Sequence, residues 1–441
     1  MTWIIGGNVQ LGCATPRRER ADLRSAVAVI NFPPHTGEPP LNSVHVIEMT
    51  PAEQARALET AQQLALRFDA LGPLVDRENR FAHELVPEFK ASGLAGLTVP
   101  KRFGGQGADI ATFTRCVQAL AEGDPACTLA FNMHMAVVGF FRGMWSEADQ
   151  ARYFKPVAHA GKLLDGAYSE TRAGVIGLAD TTACPVEGGY RITGRKTWGT
   201  LSRAADFHTF NATITGPDGR LPEDLAERTA GEAMFVCPAD TPGVRIEATW
   251  DALGMRGTGT ETVVFENAFV PTDGLVAPSF RAGLFDNLEW QTLSFASVYL
   301  GLARRALRET IAIVRTKSLG AVPGASDVLL RDQQRVQQGI GEMRLLVESA
   351  ASLIETTAAQ LNEGQVRWRD PEERLAVLEM PKVLATENAI RVVDLGMRLV
   401  GGGSFRRGHI LERLYRDVRS GPFHPLTTDQ AMELLGRCSL V

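Results

Sequence analysis

The chain has 441 residues, 44% hydrophobic and 22% charged, the balance of a water-soluble globular protein with more than one core. A formal net charge of −5 argues against a general nucleic-acid binder, and no apolar run is long enough to span a bilayer, so neither nucleic acid nor a membrane is expected as a partner. Six cysteines (Cys13, Cys116, Cys127, Cys184, Cys237, Cys438) show no CxxC spacing. That pattern fits reduced thiols in a cytoplasmic protein and offers no disulfide or zinc framework, so no metal is expected.

Residues 1–48 mix Gly, Pro and Arg around one short apolar run, and Pro33-Pro34 and Pro39-Pro40 break any helix, so they read as a disordered extension. Thr50-Pro51 then opens a helix, with Thr50 as N-cap, Pro51 at the first position and Glu53 at the third. Ala55, Leu58, Ala61, Leu64, Phe68 and Leu71 continue it at three- and four-residue spacing, and helical patterns recur to about Lys162, giving an N-terminal helical domain over 49–162. Short segments rich in β-branched and aromatic residues follow, among them Tyr190–Trp198 and Asp206–Ile214, with Gly188-Gly189 as a hairpin signal. They predict a middle β domain over 163–275, a small sandwich or barrel. From Leu288 the helical period returns. Val336, Ile340, Met343, Val347, Ala350, Ile354, Thr357 and Leu361 step by four and three, and the region 276–441 reads as a four-helix-like bundle. The fold class is therefore α+β and multidomain, in the order α, β, α.

Four segments in this order are similar to motifs of the acyl-CoA dehydrogenase family: Val99-Pro100 to Gly104-Gly105; Tyr168-Ser169-Glu170-Thr171 with Ala173-Gly174; Gly189-Tyr190 through Lys196-Thr197-Trp198-Gly199-Thr200; and Leu253-Gly254-Met255-Arg256-Gly257-Thr258. The resemblance runs nearly end to end and implies an FAD-binding oxidoreductase. It implies that Trp198 packs against the isoalloxazine, while Thr200, the Tyr168–Ser169 backbone and the Ser169 hydroxyl meet its pyrimidine side, with Gly174 beside them. Taken alone, Trp198 reads as a half-buried strand aromatic. By the same likeness Gly401-Gly402 lets backbone approach the FAD of a neighbouring subunit, where a plain helix cap is an equally physical reading. Ser318 falls in the partner segment and Thr427 at the flavin end, and a homodimer or homotetramer is implied.

The departures bear on chemistry. The family's catalytic glutamate falls on Pro425, with His424 beside it as the first candidate base. The family's alternative base position falls on Gln291; Glu289, two residues away, reads as an exposed carboxylate at a helix start. Asn132 and His134 lie on a helix that in this family borders the substrate cavity, although a lone buried histidine is more often a satisfied core residue. Val175 replaces a serine that faces CoA, and the arginine expected near the pyrophosphate is absent from Thr316–Gly320, leaving Lys317 or Arg315 to substitute. The first reading is α,β-dehydrogenation of an acyl thioester, with an electron acceptor as partner. The second, on the same scaffold, is a reduced-flavin monooxygenase acting on nitrogen or sulfur, with FMN as cofactor and a flavin reductase as partner. The third is a non-catalytic flavoprotein.

Overall fold

The computed structural model describes residues 47–172, 177–281, 287–320, 328–364, 368 and 370–440. Nearly all of the leading extension, and the candidate Gly174 with its neighbour Val175, lie outside them. At Thr50 the capping box forms as the sequence indicates: Thr50 Oγ1 accepts the Glu53 amide at 3.3 Å, and Glu53 Oε2 accepts the Thr50 amide at 2.7 Å. The first helix, α1 (Pro51–Glu78), buries Ala57, Ala61, Leu64, Phe68 and Val75 on one stripe. It is followed by α2 (Leu85–Ser92), α3 (Ile110–Gly123), α4 (Pro125–Met144) and α5 (Glu147–Ala160). Asp109 and Asp124 cap α3 and α4 through their side chains, accepting the amides of Thr112 and Cys127.

Strands then take over: β1 (Leu164–Ala167), β2 (Thr182–Val186), β3 (Gly189–Gly199) and β4 (Phe207–Ile214), a short helix α6 (Leu225–Ala230), then β5 (Glu232–Pro238), β6 (Val244–Glu247), β7 (Glu261–Pro271) and β8 (Leu275–Ala277). They form one hydrogen-bonded sheet in the order β6-β7-β3-β2-β4-β5-β8. One edge of β4 is shared, pairing in parallel with β1 at its start and with β2 at its end. Ala167, Ile192, Phe210, Phe235, Phe265 and Val270 make a core of the sheet's own. The sequence gives no sign of α6 or β8, because a six-residue helix and a three-residue strand carry too few residues for a period to show.

Beyond the sheet run α7 (Glu289–Thr316), α8 (Gln334–Asn362), α9 (Pro371–Val400), α10 (Ile410–Asp417) and α11 (Thr428–Ser439). Here α7 is the central element. It packs against α3, α4, α8 and α9, so it is buried on several faces over its first four turns. The expected stripe on α8 is buried from Val336 through Met343, Val347, Ala350, Ile354 and Thr357 to Leu361. The architecture is helical, then sheet, then helical. Among the described residues no helix is long and apolar enough to cross a membrane, and no group of His, Cys, Asp and Glu is arranged to hold a metal ion.

Candidate functional site

The C-terminal end of β3 is irregular. Its register against β7 shifts between Lys196 and Gly199, and the extra residue leaves Trp198 in the left-handed region at φ 60°. That conformation is costly for a bulky side chain, on the order of 1–2 kcal/mol, and strain of this kind gathers at functional sites. Its effect is to turn the indole outward, 59% exposed, edge-on to Trp250 at 5.4 Å. Beside it the Thr197 amide donates to the Ser169 carbonyl at 2.8 Å, tying the bulge to the Tyr168–Ser169 segment. The Ser169 hydroxyl makes no hydrogen bond to a described residue.

Three threonines run back from this edge. Thr258 Oγ1 donates to the Met255 carbonyl at 2.9 Å and lies 2.6 Å from Thr260 Oγ1, which lies 2.9 Å from Thr200 Oγ1. A carbonyl only accepts, so the three protons run one way along the row, and Thr200 is left with lone pairs for a ligand's donor. Tyr168 turns inward: its hydroxyl is 2.6 Å from Thr209 Oγ1, its ring stacks on Phe280, and burial pushes its pKa up. Below the bulge, Lys196 is fully buried and donates to Glu170 Oε1 at 2.6 Å and to Asn211 Oδ1 at 2.9 Å. Burial works against the Glu170 charge, but Lys196 and the Thr181 donors outweigh it and hold the carboxyl below its usual range. These two motif residues are the foundation of the bulge.

His424 follows a short 3₁₀ stretch after α10 (Val418–Phe423) and stacks on Phe295 of α7, ring centroids 4.1 Å apart and planes 14° apart. Its Nε2 is 2.8 Å from the Tyr299 hydroxyl, which is also 2.7 Å from Ser420 Oγ. Burial, with the Lys382 ammonium nearby, pulls its pKa down to about 3, so the ring is neutral at physiological pH. Lys382 is itself engaged by Glu379 and by the carbonyls of His424 and Leu426.

The other candidates separate. His134 is fully buried, its Nε2 2.9 Å from the Ala95 carbonyl and its Nδ1 accepting the Leu164 amide at 2.9 Å, so both nitrogens join α4 to its neighbours. Burial lowers its pKa to about 4. Asn132, also fully buried, has neither amide atom hydrogen-bonded to a described residue. It lies two turns before Gly139, on the face of α4 that meets the Trp290 ring. One turn before it, Thr128 Oγ1 is likewise unmatched, as is Ser297 Oγ on α7. Buried polar atoms without partners point to water or a ligand.

Glu289 corrects the expectation of an exposed helix-start carboxylate. It is fully buried and paired with Arg374 at 2.7 Å, because α9 packs along α7 and brings the guanidinium to it. The Lys317 ammonium donates to the Val400 carbonyl at 2.7 Å, which places it at the C-terminal end of α9. Ser318 Oγ accepts the Gly320 amide at 2.8 Å. Thr427 is the N-cap of α11, its Oγ1 accepting the Gln430 amide at 3.4 Å. Gly401 (φ 87°) ends α9, and a Cβ on Gly401, Gly402 or Gly403 would meet nothing within 4 Å, so this backbone can be approached closely from outside.

Arg416 and Asp417 join the two halves of the site. Arg416 clasps Asp76 of α1 through two contacts of 2.7 Å, and Asp417 Oδ1 accepts the Met255 amide at 2.6 Å. A Cβ on Gly254 would lie 2.3 Å from the Arg416 carbonyl, so only glycine fits there. Burial and the Asp124 charge raise the Asp417 pKa to about 7, with Arg413 opposing them. Sequence reasoning missed Asp417 as a site element, along with Tyr299, Ser420, Thr128 and Ser297. Its only signal was the Arg-Asp dipeptide.

This fold, with an exposed indole at the end of β3, the open Ser169 hydroxyl beside it and a neutral imidazole stacked on Phe295 of α7, is that of a protein suited to a flat ring cofactor. Three domain models of the acyl-CoA dehydrogenase family match the chain, N-terminal at residues 52–160, middle at 167–268 and C-terminal at 293–428. The chain belongs to that flavoprotein family. It is 29% identical over 388 residues to "Putative acyl-CoA dehydrogenase YdbM" of Bacillus subtilis, covering 87% of this chain and 96% of the other. It is also 29% identical over 367 residues to L-evernosamine nitrososynthase of a Micromonospora species, covering 79% and 81%. Among solved structures, butyryl-CoA dehydrogenase from Megasphaera elsdenii superposes with a TM-score of 0.78 at 20% identity, over 90% of this chain and 100% of that one.

Proposed function

We propose that the protein is a reduced-flavin-dependent monooxygenase that oxygenates nitrogen or sulfur in a small substrate. The observation that carries this reading is the pair at 424–425. Proline stands in the place of the thioester base, and the adjacent imidazole is held neutral against Phe295 and Tyr299. A base with a pKa near 3 is far too weak to take the α-proton of a thioester. Glu289, the carboxylate nearest the family's alternative position, is paired with Arg374. The named nitrososynthase relative shows that the family's sequence pattern extends to nitrogen chemistry.

The residues present fit a flavin. Trp198 would cover the ring, and Thr200 and Ser169 would meet its polar edge. FMN is the flavin of this reading, and the Thr316–Gly320 segment lacks the arginine that a pyrophosphate would take. When bound, reduced flavin supplies the electrons that activate dioxygen. The chain's own part is to shield that chemistry from water, to hold the substrate along the Asn132 face of α4, and to offer it the His424 imidazole. A separate flavin reductase would provide the reduced cofactor. The chain would work as a homo-oligomer, with Phe405, 82% exposed beside Gly401–Gly403, offering an apolar side chain to a second copy. Dehydrogenation is favoured by one observation, the retained Lys196-Thr197-Trp198-Gly199-Thr200 edge, which serves any flavin reaction.

The test is a pair of assays on the purified protein. One supplies FMN, a flavin reductase, NADH and air with panels of amines and thioethers. The other titrates the FAD-loaded protein anaerobically with acyl-CoAs. Oxygenated product in the first supports the proposal. Bleaching of the flavin by an acyl-CoA in the second would overturn it.

A further inference from the structure

Tyr299 stands between two hydrogen-bonding partners, and the proton order along that row is decided by its far end. Ser420 Oγ lies 2.8 Å from the Asp417 carbonyl, which has no proton to give, so the single Ser420 hydroxyl proton points there. The 2.7 Å contact between Tyr299 and Ser420 therefore needs the Tyr299 proton. That leaves the Tyr299 oxygen as acceptor in its 2.8 Å contact with His424, so the imidazole proton belongs on Nε2. Phe295 fixes the plane of the ring by stacking. Nδ1 makes no hydrogen bond to a described residue.

We propose that Tyr299, through Ser420 and the Asp417 carbonyl, is a positioning residue that locks His424 in the Nε2–H tautomer and presents Nδ1 as a hydrogen-bond acceptor to the bound substrate. The class of ligand this favours carries an N–H or O–H donor, such as an amine or hydroxylamine, over a thioether. Accepting a hydrogen bond from a neutral amine leaves the nitrogen lone pair free to be oxygenated. The inference rests on the proposed function for its substrate class. Its geometry stands without it.

The experiment is a long-range proton–nitrogen correlation spectrum of the full chain labelled with ¹⁵N-histidine, the His424 signals being those lost in His424→Asn. The expected pattern is a protonated Nε2 and an unprotonated Nδ1. In Tyr299→Phe that pattern should give way to a mixture of tautomers. In Ser420→Ala the freed Tyr299 proton should turn to Nε2 and move the ring proton to Nδ1. A wild-type ring protonated on Nδ1, or a pattern unchanged in both variants, would overturn the proposal. With an oxygenated amine as readout, Tyr299→Phe should lower kcat roughly fivefold to tenfold at little change in KM, the weight of one hydrogen bond. An Nε2–H ring in a protein that oxygenates nothing would leave the role of Tyr299 standing and sink the proposed function instead.

Discussion

Under the proposed function the end of β3 and the segment around His424 would face the same chemistry, and they are built in opposite ways. At β3 the strain, the exposed indole and the Ser169 hydroxyl leave an edge open for something that binds. Around His424 the tyrosine, serine and lysine are paired, and the ring is neutral and stacked with only its Nδ1 left open among the described residues. A family can keep the first kind of region, which holds a cofactor, while the second kind changes, because the cofactor's electronics are its own and the protein decides what meets it.

That contrast can be broken or sharpened by substitution. The largest effect is expected at its foundation. Lys196→Met strips the partner from a buried Glu170 and should destabilise the protein by roughly 3–5 kcal/mol, read as a lower urea midpoint, with flavin binding lost as the bulge relaxes. His424→Ala should leave flavin affinity unchanged and cut oxygenated product by a factor of about 10, the weight of the hydrogen bond it would accept. Equal loss of flavin in that variant would mean the two regions are not separable.

Asp417→Asn tests the strap between them. The Asp417 carboxyl has a folded pKa of about 7, above its unfolded value near 4, so its contribution to stability is present at low pH and is lost as pH rises through 7. Asparagine keeps an acceptor for Met255 without the titration. Urea unfolding at several pH values should show the variant gaining on wild type by about 1.4 kcal/mol per pH unit between pH 4 and 7. The smallest effect is expected at Trp198→Gly, which removes the ring and the left-handed strain together. Flavin should bind roughly tenfold more weakly while the fold gains about 1 kcal/mol, as judged by flavin titration and melting temperature.

Much of the scaffold was legible. The Thr50 capping box, the α8 stripe and the strand segments all follow from local chemistry that needs no tertiary partner. What could not be read was set by contacts distant in sequence. Glu289 looks like a solvent-facing helix start until Arg374, 85 residues on, is brought against it. Lys317 shows no partner in the sequence until the end of α9, 83 residues on, is brought against it. The bulge at Trp198 shows only in the pairing of β3 with β7, where the register shifts between Lys196 and Gly199. The tautomer of His424 depends on a serine, a tyrosine and a carbonyl that no periodicity connects.

Met255 has a consequence of a different order. Its N–H is held by Asp417 from the helical side, and its carbonyl receives the threonine row that ends at Thr200. One residue thus works as a caliper, setting the gap between the edge that would grip the ring and the imidazole that would face it. A change that shifted this loop by a fraction of an ångström would alter the reach of the chemistry and leave every reacting group in place.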